Sequence, residues 1–170
     1  MSTPRFLSHP LFVAFTIQLV LGYEWASAGW GKIHQGQFVP NIGKTLLRFG
    51  EGNPHNWYAD TLLQVAVDHP MVFGMLVQWG EFLAGVGLIG TIALYAFSKQ
   101  PAPKNAARIL AIAALCAGAF MNLNFYFAAG WTSSSTGGFN ALMFWIQIAL
   151  LLGWIALPGK GQKDTDKRAR

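Results

Sequence analysis

The sequence predicts an all-α integral membrane protein, a four-helix bundle with short interfacial helices in its first outer loop. Two observations lead to this prediction. The chain of 170 residues is 53% hydrophobic and only 11% charged, whereas a soluble domain carries about 25% charged residues. The apolar residues also form four runs near or above the ~20 residues that a helix needs to cross a bilayer. These runs occupy most of the length, so a single membrane domain is expected.

The predicted spans cover residues 10–33, 70–97, 105–130 and 137–157. Each should be helical, because backbone groups in lipid must be hydrogen-bonded within the segment. Residues 11–28 also resemble a signal peptide, with an apolar run followed by small residues. The apolar pattern continues to Ile33, which favours a retained first span. Pro101 and Pro103 are expected in the break between the second and third spans.

The distribution of basic residues predicts the topology. Of the 12 Lys and Arg residues, all except Lys32, Lys44 and Arg48 fall on the side of both termini and the middle loop. The positive-inside rule then places both termini, with the basic tail at 159–170, in the cytoplasm of a bacterial or archaeal cell. The net charge of +5 is thus explained by topology and by contact with anionic membrane lipids, and nucleic acid is not expected as a partner.

The loop between the first two spans is long enough to carry structure of its own. Residues 41–49 and 57–67 show apolar residues at helical spacing, and Asn56 is of a type favoured at a helix N-cap. Both segments are expected to lie at the outer membrane surface and cover the mouth of the bundle. An interfacial helix pair that binds no ligand remains the alternative.

Polar side chains lie inside all four spans at similar depth. Glu24, Glu81, Asn122 and Gln147 are each about 12–16 Å from the outer end of their span. Their spacing from small or polar neighbours allows each to face the bundle interior. For the amides, the alternative is that they only hold helices together, as is also expected of Gln78, Asn124 and Asn140.

Two carboxylates within spans are costly, which makes Glu24 and Glu81 the candidate catalytic residues. Each must be paired with a cation or held protonated, and Lys32 is the only basic residue nearby. Such a carboxyl group can exchange protons with a quinone headgroup. The candidate ligand-binding residues are Lys32, His55, Trp57, Tyr58, Asn122 and Gln147.

The cysteine and histidine pattern bears on redox chemistry. Cys116 is the single cysteine, and no Cys/His cluster of the kind that binds zinc or an iron–sulfur centre is present. No metal or haem site is therefore predicted. Redox chemistry would need an organic molecule such as a quinone, or a partner subunit.

Four short motifs carry a resemblance to a known family. They are LGYEWASAGWGK at 21–32, NPHNWY at 53–58, WGEFLAGVGL at 79–88 and MNLNF at 121–125. In this order they resemble the DoxX/DoxD membrane proteins, and in particular the DoxD branch. The resemblance extends over about residues 20–147.

That resemblance implies a four-helix membrane subunit linked to sulfur or thiol redox chemistry and the quinone pool. The DoxD branch includes the membrane subunit of thiosulfate:quinone oxidoreductase, so thiosulfate, quinone and a second subunit are the partners it implies. Whether this chain is an enzyme stays open. The alternative is a non-catalytic accessory subunit of a larger respiratory or photosynthetic membrane complex.

Overall fold

The computed structural model describes residues 10–157, and within that range the chain is helical apart from short connections. No strand occurs in this part of the chain. The α-helices are α1 (Pro10–Gln35), α2 (Phe38–Gly50), α3 (Asn56–Tyr58), α4 (Gln64–Asp68), α5 (Pro70–Phe97), α6 (Pro101–Ala129) and α7 (Ser134–Ala156). A π-helical turn, Ala59–Leu63, joins α3 to α4, and a 3₁₀ turn, Gly130–Thr132, follows α6.

Four helices, α1, α5, α6 and α7, are long and apolar enough to cross a membrane. Each packs beside the next in the order α1, α5, α6, α7. Their outward faces carry exposed large apolar side chains such as Leu19, Leu83, Ile109 and Leu142, which suit contact with lipid. The predicted all-α membrane bundle is confirmed. The basic tail predicted at 159–170 lies outside the described residues.

Several helix starts differ from prediction, since α2 begins at Phe38 and α7 at Ser134, three residues early in each case. Helix α6 begins at Pro101, so Pro101 and Pro103 lie in its first turn and not in a break. Proline is accepted there because the first amides of a helix have no intrahelical acceptor. The N-cap of α3 is His55 and not Asn56, and the His55 amide instead donates to Asn53 Oδ1 at 2.9 Å.

The closest helix contact joins α1 to α5 through glycines. A Cβ on Gly29 would lie 2.8 Å from the carbonyl oxygen of Gln78, and one on Gly85 would lie 2.5 Å from that of Gly22. Both are far inside van der Waals contact. Glycine at these positions therefore lets the two backbones touch, as small residues do in membrane bundles.

The inner half of the bundle is held by a buried hydrogen-bond cluster. Gln18 is fully buried and donates to Leu88 O at 2.9 Å and to Thr91 Oγ1 at 3.1 Å. Its Oε1 accepts a 2.6 Å bond from Trp154 Nε1. This single side chain therefore links α1, α5 and α7 across the centre of the bundle.

Residues 38–68, which comprise α2, α3, the π turn and α4, form a roof over one end of the bundle. That end is called the outer end, following the charge-based prediction. Asn53 attaches the roof to α6, since its Nδ2 donates to Phe49 O at 3.0 Å and to Phe127 O at 3.1 Å. On the other side, Ile42 is buried against Gly74 of α5. The two helical segments expected to cover the bundle mouth thus do so.

Candidate functional site

A cavity of about 480 Å³ lies beneath the roof, between the outer halves of α5 and α6. Its walls are mainly apolar and come from α2, from the segment α3–α4 and from both spans. The lining side chains include Phe38, Ile42, Leu46, Phe49, Leu63, Phe73, Val77, Met121 and Phe125. The volume falls within the 300–1,000 Å³ typical of small-molecule sites.

The mainly apolar lining of the cavity contains one ion pair. Lys32 Nζ of α1 lies 2.5 Å from Glu81 Oε2 of α5, and both residues line the cavity. The Glu81 side chain is 4% exposed and that of Lys32 is 26% exposed. The Phe38 ring covers the ammonium group, with its centroid 5.3 Å from Nζ. A charge that would be costly alone in a membrane is therefore balanced, and the pair faces the cavity through its more exposed lysine.

The position of this pair follows from the glycine contact between α1 and α5. Gly29 lies three residues before Lys32, and Gly85 lies four residues after Glu81. Each is about one helical turn from its charged neighbour. Because the glycines bring the two backbones together, the two side chains can reach each other directly.

A second polar contact lines the cavity where the roof meets α6. The Tyr58 hydroxyl donates to Asn124, with Oδ1 at 3.2 Å and the carbonyl oxygen at 3.3 Å. Tyr58 is 5% exposed, and burial raises its pKa to about 12. The phenol therefore stays neutral at physiological pH and acts as a hydrogen-bond donor. Asn140 of α7 adds a further amide at the edge of the cavity.

Glu24 does not join this site. It is exposed on the face of α1 that points away from the bundle, and no side-chain partner occurs for it among residues 10–157. The prediction that its stripe faces the interior is wrong, because packing on α5 through Gly22 and Gly29 turns α1 so that Trp25 is buried instead. Glu24 and Glu81 therefore do not share a site.

Asn122 and Gln147 do not line the cavity. Both are buried, and Asn122 Nδ2 donates to Gln147 Oε1 at 3.1 Å, which joins α6 to α7. The Gln147 amide nitrogen and Trp25 Nε1 are buried without an acceptor in the described part of the chain. The hydrogen bond between the two amides fits the alternative interpretation, in which these side chains only hold helices together.

His55 and Trp57 are in the roof but outside the main cavity. His55 lines a separate, shallow pocket of about 410 Å³ with Tyr126 and Trp131 at the outer surface. Trp57 is 58% exposed and packs edge-on against Phe127, with ring centroids 5.1 Å apart. Of the predicted ligand-binding residues, Lys32 and Tyr58 line the cavity.

Sequence reasoning did not assign several lining residues to the site, namely Phe38, Thr45, Asn124, Asn140 and the apolar side chains of α5 and α6. One signal was available for α2, since Ile42, Leu46 and Phe49 recur on one helical face and all three line the cavity. The cavity-lining residues of α5 and α6 carry no such signal, because apolar residues occur on every face of those two helices.

Comparisons with family models, curated proteins and solved structures find no match to this chain. Between residues 10 and 157, no group of three or more His, Cys, Asp or Glu side chains could hold a metal ion. The cavity and its ion pair are the features of the described residues that bear on function.

Proposed function

We propose that this chain is a membrane redox subunit that binds a quinone headgroup in the cavity beneath the roof, as the resemblance to DoxD implies. The observation that supports it most directly is a Lys32–Glu81 ion pair in a mainly apolar cavity. A quinone ring is apolar on its faces and carries oxygens at its edge. It would pack against Phe38 and Phe125 while an oxygen approaches Lys32.

The same cavity fits thiosulfate poorly. A dianion would lose its hydration among apolar side chains and gain one lysine that is already paired. Oxidation of thiosulfate or another sulfur compound is therefore assigned to a partner subunit, which supplies two electrons. The quinone takes up these electrons with two protons and becomes a quinol, and the Lys32–Glu81 pair would relay the protons.

Glu81→Gln tests this role, because glutamine occupies the same space but cannot carry a proton. In membranes that hold the chain with its partner subunits, thiosulfate-dependent quinone reduction should fall at least about 100-fold, as loss of a general acid–base group commonly does. Glu51→Gln is the matched control, since Glu51 is exposed at the end of α2. A folded Glu81→Gln protein with wild-type rates would refute the proposal.

A double variant separates proton transfer from charge balance. Glu81→Gln alone also leaves Lys32 without its partner, which could slow the reaction by disturbing the cavity. Lys32→Met combined with Glu81→Gln removes both charges and restores neutrality. If the pair relays protons, the double variant should remain slow; recovery of wild-type rates would show that only charge balance matters.

Glu24 supports the second candidate function, an accessory subunit docked in a larger membrane complex. An exposed carboxylate about 16 Å inside the outer end of α1 is costly in lipid, and a partner helix carrying a donor at that depth would relieve the cost. Extraction in mild detergent followed by mass measurement would detect such a complex, and Glu24→Gln should weaken it. Extraction as a lone species, with the same mass for wild type and Glu24→Gln, would rule out this second function.

A further inference from the structure

The cavity is open on one side, between α5 and α6. Leu76 and Phe120 line it, yet they are 62% and 63% exposed, and Leu62 of the roof above them is 45% exposed. Leu76 is six residues into α5, about 9 Å below its outer end. At that depth in a membrane-spanning helix, the opening is expected to face lipid. We refer to the gap bordered by Leu62, Leu76 and Phe120 as the portal.

A second depression lies on the contact between α5 and α6. It encloses about 370 Å³ and is almost wholly apolar; small residues such as Gly87, Gly90, Ala113 and Ala114 form its floor, and Leu83 borders it. We refer to it as the α5–α6 groove. A Cβ on Gly90 would have no atom within 4 Å, so it would point into open space.

Helical spacing places the groove directly below the portal. Leu76, Leu83 and Gly90 follow one another at intervals of seven residues, two turns of a helix, so they share one face of α5. On α6, Phe120 and Ala113 are related in the same way. From Leu76 to Gly90 the distance along the helix is about 21 Å.

The cavity and the groove are separated inside the protein but connected along its surface. A Cβ on Gly80 would lie 3.1 Å from Met121 Sδ, so α5 and α6 are in contact beside the cavity, which Met121 lines. A molecule with its head in the cavity can therefore continue downward through the portal and along the lipid-facing side.

From this geometry we propose that the cavity and the α5–α6 groove form one site for a quinone with a long apolar tail, taken from the membrane through the portal. The ring lies near Lys32 and Glu81, the chain passes between Leu76 and Phe120, and the tail lies in the groove. This inference rests on the proposed function, since it assumes that the cavity holds a quinone ring.

Gly90→Leu tests the groove, because the new Cβ would meet no atom within 4 Å and the rest of the leucine side chain would occupy part of the groove. Gly153→Leu on α7 is the matched control, since a Cβ there also meets no atom within 4 Å and Gly153 is remote from the groove. Purified full-length protein would be titrated with an isoprenoid-tailed quinone and with its tail-less headgroup, using quenching of intrinsic tryptophan fluorescence. Partition into detergent is the same for every variant, so affinities are compared between variants.

Gly90→Leu should bind the tailed quinone roughly fivefold more weakly than wild type, since interactions between apolar groups within lipid are individually modest. Its affinity for the tail-less headgroup, and both affinities of Gly153→Leu, should be unchanged. Equal affinity of wild type and Gly90→Leu for the tailed quinone would refute the assignment of the groove to the quinone tail. The groove would then be a site for ordinary lipid chains. Absence of binding by either quinone would instead overturn the proposed function itself.

Discussion

The close glycine contact between α1 and α5 predicts that Gly85→Ala destabilises the protein. The new Cβ would lie 2.5 Å from Gly22 O and 2.7 Å from Ala26 Cα, whereas ordinary contacts begin at 3.4 Å. Both opposing atoms are backbone, so no side chain can rotate away. The helices must separate by about 1 Å, and overpacking of this kind costs about 2–3 kcal/mol.

Gly90→Ala is the matched control for this experiment. It changes the same residue type in the same helix, but its Cβ enters open space. Both variants gain about the same helix propensity, up to ~1 kcal/mol, so the difference between them isolates the clash. The free energy of unfolding would be measured by titrating detergent-solubilised protein with a denaturing detergent and recording helicity.

The free energy of unfolding of Gly85→Ala should be about 2–3 kcal/mol lower than that of Gly90→Ala. Gly85→Ala should also loosen the Lys32–Glu81 pair, which lies one turn away, and so lower quinone affinity. The reasoning about close backbone contact would be refuted if the two variants proved equally stable.

Two further variants probe other contacts. Gln18→Leu removes three buried hydrogen bonds and leaves the Trp154 N–H without an acceptor, so the free energy of unfolding should fall by about 2–4 kcal/mol; Gln35→Leu, at an exposed position of the same helix, should change little in the same titration. Tyr58 has a pKa raised by burial from its ordinary value of 10.0 to about 12, so it contributes stability that is complete below pH 10 and is lost as the pH rises to 12. Tyr58→Phe should remove this part of the alkaline decline in unfolding free energy, and an unchanged pH profile would contradict it.

The membrane fold could be predicted from the sequence because each helix that crosses a bilayer needs a long run of apolar residues. Apolar runs of the necessary length seldom occur outside membrane spans, and charge interrupts them only at their ends and at a few interior sites. The start of α6 was misplaced because Pro101 and Pro103 are equally compatible with a loop and with a first helical turn.

The site was only partly predictable, for a physical reason. Depth in the membrane follows from residue number, but rotation of a helix about its axis depends on its neighbours. Glu24 and Glu81 lie at comparable depth, yet glycine packing on α5 turns Glu81 into the bundle and Glu24 out of it. In a helix that is apolar all round, no periodicity indicates which face is buried, so convergence of the two carboxylates could not be decided from spacing.

The Lys32–Glu81 pair also affects how the chain enters the membrane during synthesis. Helix α1 is the least apolar of the four spanning helices. Within residues 10–157 its lysine is paired with Glu81 of α5, which emerges from the ribosome about 50 residues later. Until α5 arrives, Lys32 is uncompensated and adds to the unpaired charge of Glu24 on the same helix. Stable insertion should therefore require both helices together, with residues 38–68 held between them as the connection of a helical hairpin. A ribosome-stalled chain ending before α5 should be extracted from membranes by alkaline carbonate, whereas one that includes α5 should resist extraction.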